Sequence, residues 1–111
     1  MEKRNFVVFE IADLLKTQAE QGKRYLEFFR IPPMSAGIYV LPAGGTDPQK
    51  PHFQDELYYV VKGRARFKAG DEDREVSAGS VIFVATEVEH RFYDIKEDLE
   101  VLVFFAPAES D

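Results

Sequence analysis

An antiparallel all-β sandwich or barrel preceded by one helix is the fold this sequence predicts, on three observations. The chain breaks into about eight or nine short apolar or alternating runs of strand length. Gly and Pro residues punctuate those runs at close intervals, and no strand–helix–strand alternation supports a parallel sheet. Only one stretch, near the N-terminus, carries helical periodicity.

The elements follow in order. Residues 6–9, FVVF, read as a short strand or a hydrophobic latch. Glu10 to Gly22 reads as a helix, because Ile11, Leu14, Leu15 and Ala19 recur at helical spacing and Gly22 supplies a stop. Arg24 to Ile31 is an aromatic strand (Tyr25, Phe28, Phe29) that ends at Pro32-Pro33. Gly37 to Leu41 is a second strand, closed by Pro42 and Gly44-Gly45, and Leu57 to Val61 a third. Lys62-Gly63 reads as a turn into Arg64 to Ala69, where Ala65, Phe67 and Ala69 alternate with Arg64, Arg66 and Lys68. That pattern is a half-exposed strand with its basic side in water. Gly70-Asp71 is a hairpin-type turn, Arg74 to Val76 its brief partner, and Ser80 to Ala85 a buried strand. His90 to Ile95 and Leu99 to Ala106 complete the set, separated by a charged turn at Lys96-Glu97-Asp98. The AESD terminus is expected to fray.

At 111 residues this is one domain: a helix-and-strand extension over 1–34, a barrel core over 35–106 and a tail over 107–111. Hydrophobic residues make up 45% of the chain, with 10 Phe and 5 Tyr, which suits a packed core and argues against disorder. With no cysteine, disulfides, thiolate metal sites and cysteine nucleophiles are excluded. A net charge of −6 disfavours nucleic-acid phosphates as partners. No run approaches the ~20 apolar residues of a membrane span, so the expectation is a cytoplasmic protein with no membrane partner.

The chemistry concentrates between Gly45 and Gly63. On an extended strand, Lys50, His52, Gln54, Glu56, Tyr58 and Val60 share one face, polar at one end and apolar at the other. The second histidine, His90, opens a later strand. Two imidazoles and a carboxylate form the donor set of a facial triad, suited to Fe(II), Mn(II), Ni(II) or Zn(II) with positions left open. Taken singly, either histidine reads as an ordinary surface or hydrogen-bonded residue. Gln49 and Gln54 each offer an amide oxygen as a weak further donor. Tyr58, Phe83 and Phe92 are candidate pocket walls, although strand aromatics read first as core. Arg64, Arg66 and Lys68 read as a solvated face, and Glu87 and Glu89 as loop residues.

Residues 35–106 resemble a small single-domain member of the RmlC-like cupin superfamily. The first family motif, G-x5-H-x-H-x3-E-x6-G, meets His52, Glu56 and Gly63 in register, with Lys50 at the first histidine position and Gly45 at its start, the loop between them shifted slightly. The second, G-x5-P-x-G-x2-H-x3-N, meets Gly79 and His90, with Ala85, Glu87 and Asp94 replacing its proline, glycine and asparagine. The resemblance implies an antiparallel jelly-roll β-barrel in which His52, Glu56 and His90 bind a divalent metal ion. Lys50 then either turns away from that ion or replaces its charge, and on the ligand side it would attract an anionic substrate. Asp94 could steady a ligand histidine. Three readings stay open: a metal-dependent oxygenase or isomerase/lyase, a non-catalytic small-molecule binder or sensor, and a storage-type barrel with a vestigial site. The expected partners are a small-molecule ligand and a second copy of the chain, since a homodimer would cover the apolar N-terminal segment.

Overall fold

The computed structural model describes residues 5–110; residues 1–4 of the expected N-terminal extension and Asp111 of the expected tail lie outside them. One helix, α1 (Ile11–Gln21), precedes six strands: β1 (Tyr25–Ile31), β2 (Met34–Leu41), β3 (Asp55–Ala69), β4 (Glu72–Ser77), β5 (Val81–Val84) and β6 (His90–Ala106). The helix ends where Gly22 adopts a left-handed φ of 65°, a conformation that costs glycine little. No helix among the described residues is long and apolar enough to cross a membrane.

All strand pairs are antiparallel, in the order β1-β2-β6-β3-β4, with β5 on the other side of the first half of β3. The sequence divides the β3 and β6 regions into two strands each, with turns at Lys62-Gly63 and Lys96-Glu97-Asp98. The structure instead runs one 15-residue and one 17-residue strand straight through them. The reason is a change of phase. Along β3, Glu56, Tyr58 and Val60 are buried, and then Ala65 and Phe67 are. Irregular pairing between Val60 and Arg66 moves the buried set from even to odd positions without ending the strand. Those bulges crease the β3–β6 ribbon, so that its two halves fold face to face as a jelly-roll barrel.

Gly63 makes the crease possible. Its φ is +100°, and a Cβ there would stand 2.3 Å from the Asp98 carbonyl oxygen. Inside the fold, Tyr58, Phe67 and Phe92 meet edge to face, with centroids 4.8–5.8 Å apart. Around them lie Leu41, Val60, Ile95, Leu99 and Val101. Phe28 and Phe29 of β1 hold Phe9 edge-on, and α1 packs against β1 and β2.

The second motif explains two backbone oddities. Among the described residues, Glu87 (φ 64°) and Asp94 (φ 48°) are the non-glycine positions with positive φ, and they occupy the glycine and asparagine sites of the pattern. Glu87 donates its amide to the His52 carbonyl at 2.7 Å, so this turn holds the loop that carries His52.

Candidate metal centre and adjoining cavity

Folding the ribbon on its crease brings the start of β3 opposite the start of β6. Glu56 therefore meets His90 across the barrel, although they sit far apart in the ribbon's own register, Glu56 against Phe105 and His90 against Ala69. His52 comes from the loop before β3. One ligand atom from each of His52, Glu56 and His90 lies within 4.8 Å of the others. Glu56 and His90 are almost fully buried and His52 is partly so.

The hydrogen bonds orient both rings. His90 Nδ1 donates to the Val88 carbonyl at 2.7 Å, which turns Nε2 inward, 2.8 Å from Glu56 Oε1 and 3.0 Å from the Tyr58 hydroxyl. His52 Nδ1 lies 3.2 Å from Glu109 Oε2, so its Nε2 also faces inward, 4.0 Å from Glu56 Oε1 and 3.4 Å from Gln49 Oε1. The inner atoms are thus mostly acceptors: two imidazole nitrogens, a carboxylate oxygen and an amide oxygen. Such a set calls for a proton or a cation at its centre. At His90, burial works against the charged ring, but hydrogen bonds to Glu56 and Val88, with the charge of Glu56, outweigh it and raise the pKa. Glu56 Oε2 is left buried without a hydrogen-bond partner, a free acceptor that a bound cation or ligand would satisfy.

Beside the cluster is a cavity of about 160 Å³. Its polar lining includes Gln49, His52, Glu56 and Glu109, and its walls are Tyr25, Tyr39, Tyr58, Val103 and Phe105. Burial, the leading cause in each case, raises the three tyrosine hydroxyls above their ordinary pKa, so they act as protonated hydrogen-bonding groups. Tyr39 donates to Asp47 at 2.5 Å and Tyr58 to Gln49 at 2.9 Å, whereas the buried Tyr25 hydroxyl has no partner. Tyr25 reaches this wall only because Gly37 lies beneath it: a Cβ at Gly37 would fall 2.2 Å from the ring.

The residues singled out in the sequence take different places. Gln49 and Tyr58 line the cavity, and Phe92 is wholly buried in the core behind Tyr58. Gln54 is buried but turns away, donating to Ser110 at 2.7 Å. Lys50 is exposed and lies outside the lining, because the chain before Asp55 is loop and strand alternation does not extend to it. Phe83 is 64% exposed on the outer face, paired with Leu57 rather than with the inward Glu56. Asp94 pairs with Lys96 near the surface, away from either histidine.

Four contributors carried no sequence signal of their own: Tyr25, Tyr39, Asp47 and Glu109. Asp47 is buried and accepts from Tyr39, Gln49 and the Phe92 amide. Glu109 lies in the stretch expected to fray, yet its amide donates to Ser35 Oγ at 2.9 Å and its carbonyl accepts from Arg30 at 2.6 Å.

A two-layered antiparallel barrel with a His–Glu–His cluster at one end, positioned for a metal site, defines the class of this molecule. The chain belongs to the cupin family: the family model described as a cupin domain matches residues 37–105. It is similar to SCO3923, an uncharacterized protein of Streptomyces coelicolor, at 49% identity over 102 residues, which covers 92% of this chain and 97% of that one. Among solved structures it is similar to BH2720 from Bacillus halodurans (TM-score 0.75, 16% identity, 97% of this chain and 85% of that chain). It is also similar to the DMSP lyase DddQ from Ruegeria pomeroyi (TM-score 0.67, 22% identity, 79% of this chain), of which it spans 49%. At these identities the structural likenesses establish the fold alone.

Proposed function

We propose that this cupin binds a divalent transition-metal ion through His52, Glu56 and His90 and acts on a small organic molecule in the adjoining cavity. The observation that carries the reading is the convergence of inward-facing acceptors around His52 Nε2, His90 Nε2 and Glu56 Oε1. Their mixed nitrogen and oxygen character suits Fe(II), Mn(II), Ni(II) or Zn(II). Bound there, such an ion supplies Lewis-acid polarisation of a ligand oxygen.

The chain's own residues do the rest. The free Tyr25 hydroxyl can donate to a ligand oxygen. Phe105 and Val103 keep bulk water from that side. The lining contains two carboxylates and no Lys or Arg, so with a divalent ion bound the site is close to neutral, which suits a small polar molecule. Proton-transfer chemistry of the lyase or isomerase kind fits this lining, and DddQ, a fold neighbour, is named a lyase.

Metal analysis of protein purified without added metal tests the reading. We expect about one transition-metal ion per chain, and chelator-stripped protein should gain about 2.7 kcal/mol at a hundredfold excess of ion over Kd. His52→Ala or His90→Ala should remove the gain. An identical melting curve with every metal tried would defeat the proposal. Tight ligand binding without turnover by the loaded protein would make it a binding module instead.

We also propose that two copies pair through the outer face of β3 and β5. Leu57 lies opposite Phe83 and Tyr59 opposite Val81, and each of these four residues is exposed by 41% or more.

A further inference from the structure

Beyond β6 the chain does not run free. Ala108 donates its amide to the Pro32 carbonyl at 3.2 Å, and Glu109 is gripped at both its amide and its carbonyl, by Ser35 and Arg30. Ser110 accepts from the buried Gln54. Four hydrogen bonds over three residues form a strap, of which Glu109 lines the cavity. They fix the backbone of the one residue whose side chain turns inward, and Glu109 Oε2 thereby stands 3.2 Å from His52 Nδ1.

We infer that Glu109 is the positioning residue for His52: its carboxylate accepts the Nδ1 proton and so presents the Nε2 lone pair to the metal centre. The inference rests on the metal-binding reading above. The two histidines need the same service and obtain it differently. His90 has a backbone carbonyl two residues away for its Nδ1 proton. His52 sits on a loop, and its ring takes a carboxylate from the far end of the chain instead. A histidine held in this way keeps one tautomer and one ring orientation, and it is a more basic ligand. Without the strap, a neutral His52 could carry its proton on Nε2 and donate it toward Gln49 Oε1, which would block coordination.

Two variants and two readouts test this. In chelator-treated full-length protein, at a pH where imidazoles are neutral, nitrogen-15 spectra should show His52 protonated at Nδ1. Glu109→Leu should move the proton toward Nε2, while Glu109→Gln, whose amide oxygen still accepts, should largely preserve it. By calorimetry with Mn(II) or Zn(II), Glu109→Leu should weaken binding by about 10–100-fold and Glu109→Gln should recover most of the loss. An unchanged tautomer in Glu109→Leu would overturn the inference, as would unchanged metal affinity. If the wild-type protein takes up no metal, the metal-binding reading itself fails and this inference with it; the tautomer spectra then show whether Glu109 still orients the ring.

Discussion

The two ends of the barrel are buried alike and built from opposite chemistry. At the crease lie Val60, Ala65, Ile95, Leu99 and Val101; at the other end lie Asp47, Gln54, Glu56, Tyr58 and His90. Leu99 is 0% exposed and Glu56 2%. Burying the first gains about 25 cal/mol per Å² of apolar surface, while burying a carboxylate costs free energy unless it is partnered. Glu56 is only half partnered, and Tyr25 not at all. The apolar end therefore supplies the stability that lets the other end hold unsatisfied polar groups around a cavity. What the contrast teaches is that burial alone does not separate core from site; the unmet hydrogen-bonding capacity of the buried atoms does.

The contrast can be broken by exchanging the kinds of damage each end should suffer. Leu99→Ala should cost about 2–5 kcal/mol, from lost burial and the cavity left behind. Urea unfolding measures that loss, and the metal affinity of the folded protein should not change. A parallel fall in metal affinity would mean that the two ends are not independent.

Gly37→Ala comes next, at about 1–3 kcal/mol, because the added methyl forces Tyr25 off β2. Since Tyr25 is a wall of the cavity, small-molecule binding should fall along with the melting temperature. A destabilised protein with intact ligand binding would show that Tyr25 packs without taking part.

Tyr58→Phe should cost about 1 kcal/mol by removing one buried hydroxyl from between Gln49 and His90. The loss should be smaller in metal-loaded protein, where His90 is held by the ion. Equal losses in the two forms would mean that Tyr58 does not help to position His90.

The smallest effect on stability belongs to the outer face. Val81→Ser together with Phe83→Ser should change the stability of each chain by less than about 1 kcal/mol, because both side chains are largely solvent-exposed. The pair should nevertheless convert a dimer to a monomer in light scattering after size exclusion. A wild-type monomer at the outset would sink the proposed pairing, and a dimer that survives both changes would place it elsewhere.

Alternation and turn residues are local properties, and they are enough to indicate an antiparallel sandwich or barrel and a helix ending at Gly22; the resemblance to the cupin motifs adds the jelly-roll barrel and His52, Glu56 and His90 as a set. The same local reading placed turns at Lys62-Gly63 and Lys96-Glu97-Asp98, because a change of phase looks like an end when no partner strand is in view. Only the pairing of β3 with β6 shows both strands continuing through the crease.

Lys50 illustrates the opposite error. Its parity with His52 has meaning only in a strand, and the chain there is loop. Tyr25, Asp47 and Glu109 enter the site through closure of the chain upon itself, and closure leaves no periodic trace. Which residues carry donor atoms is written in the sequence. Which of those atoms are pinned, free or left without a partner depends on contacts between segments as distant as Ser35 and Glu109, and only the tertiary structure decides that.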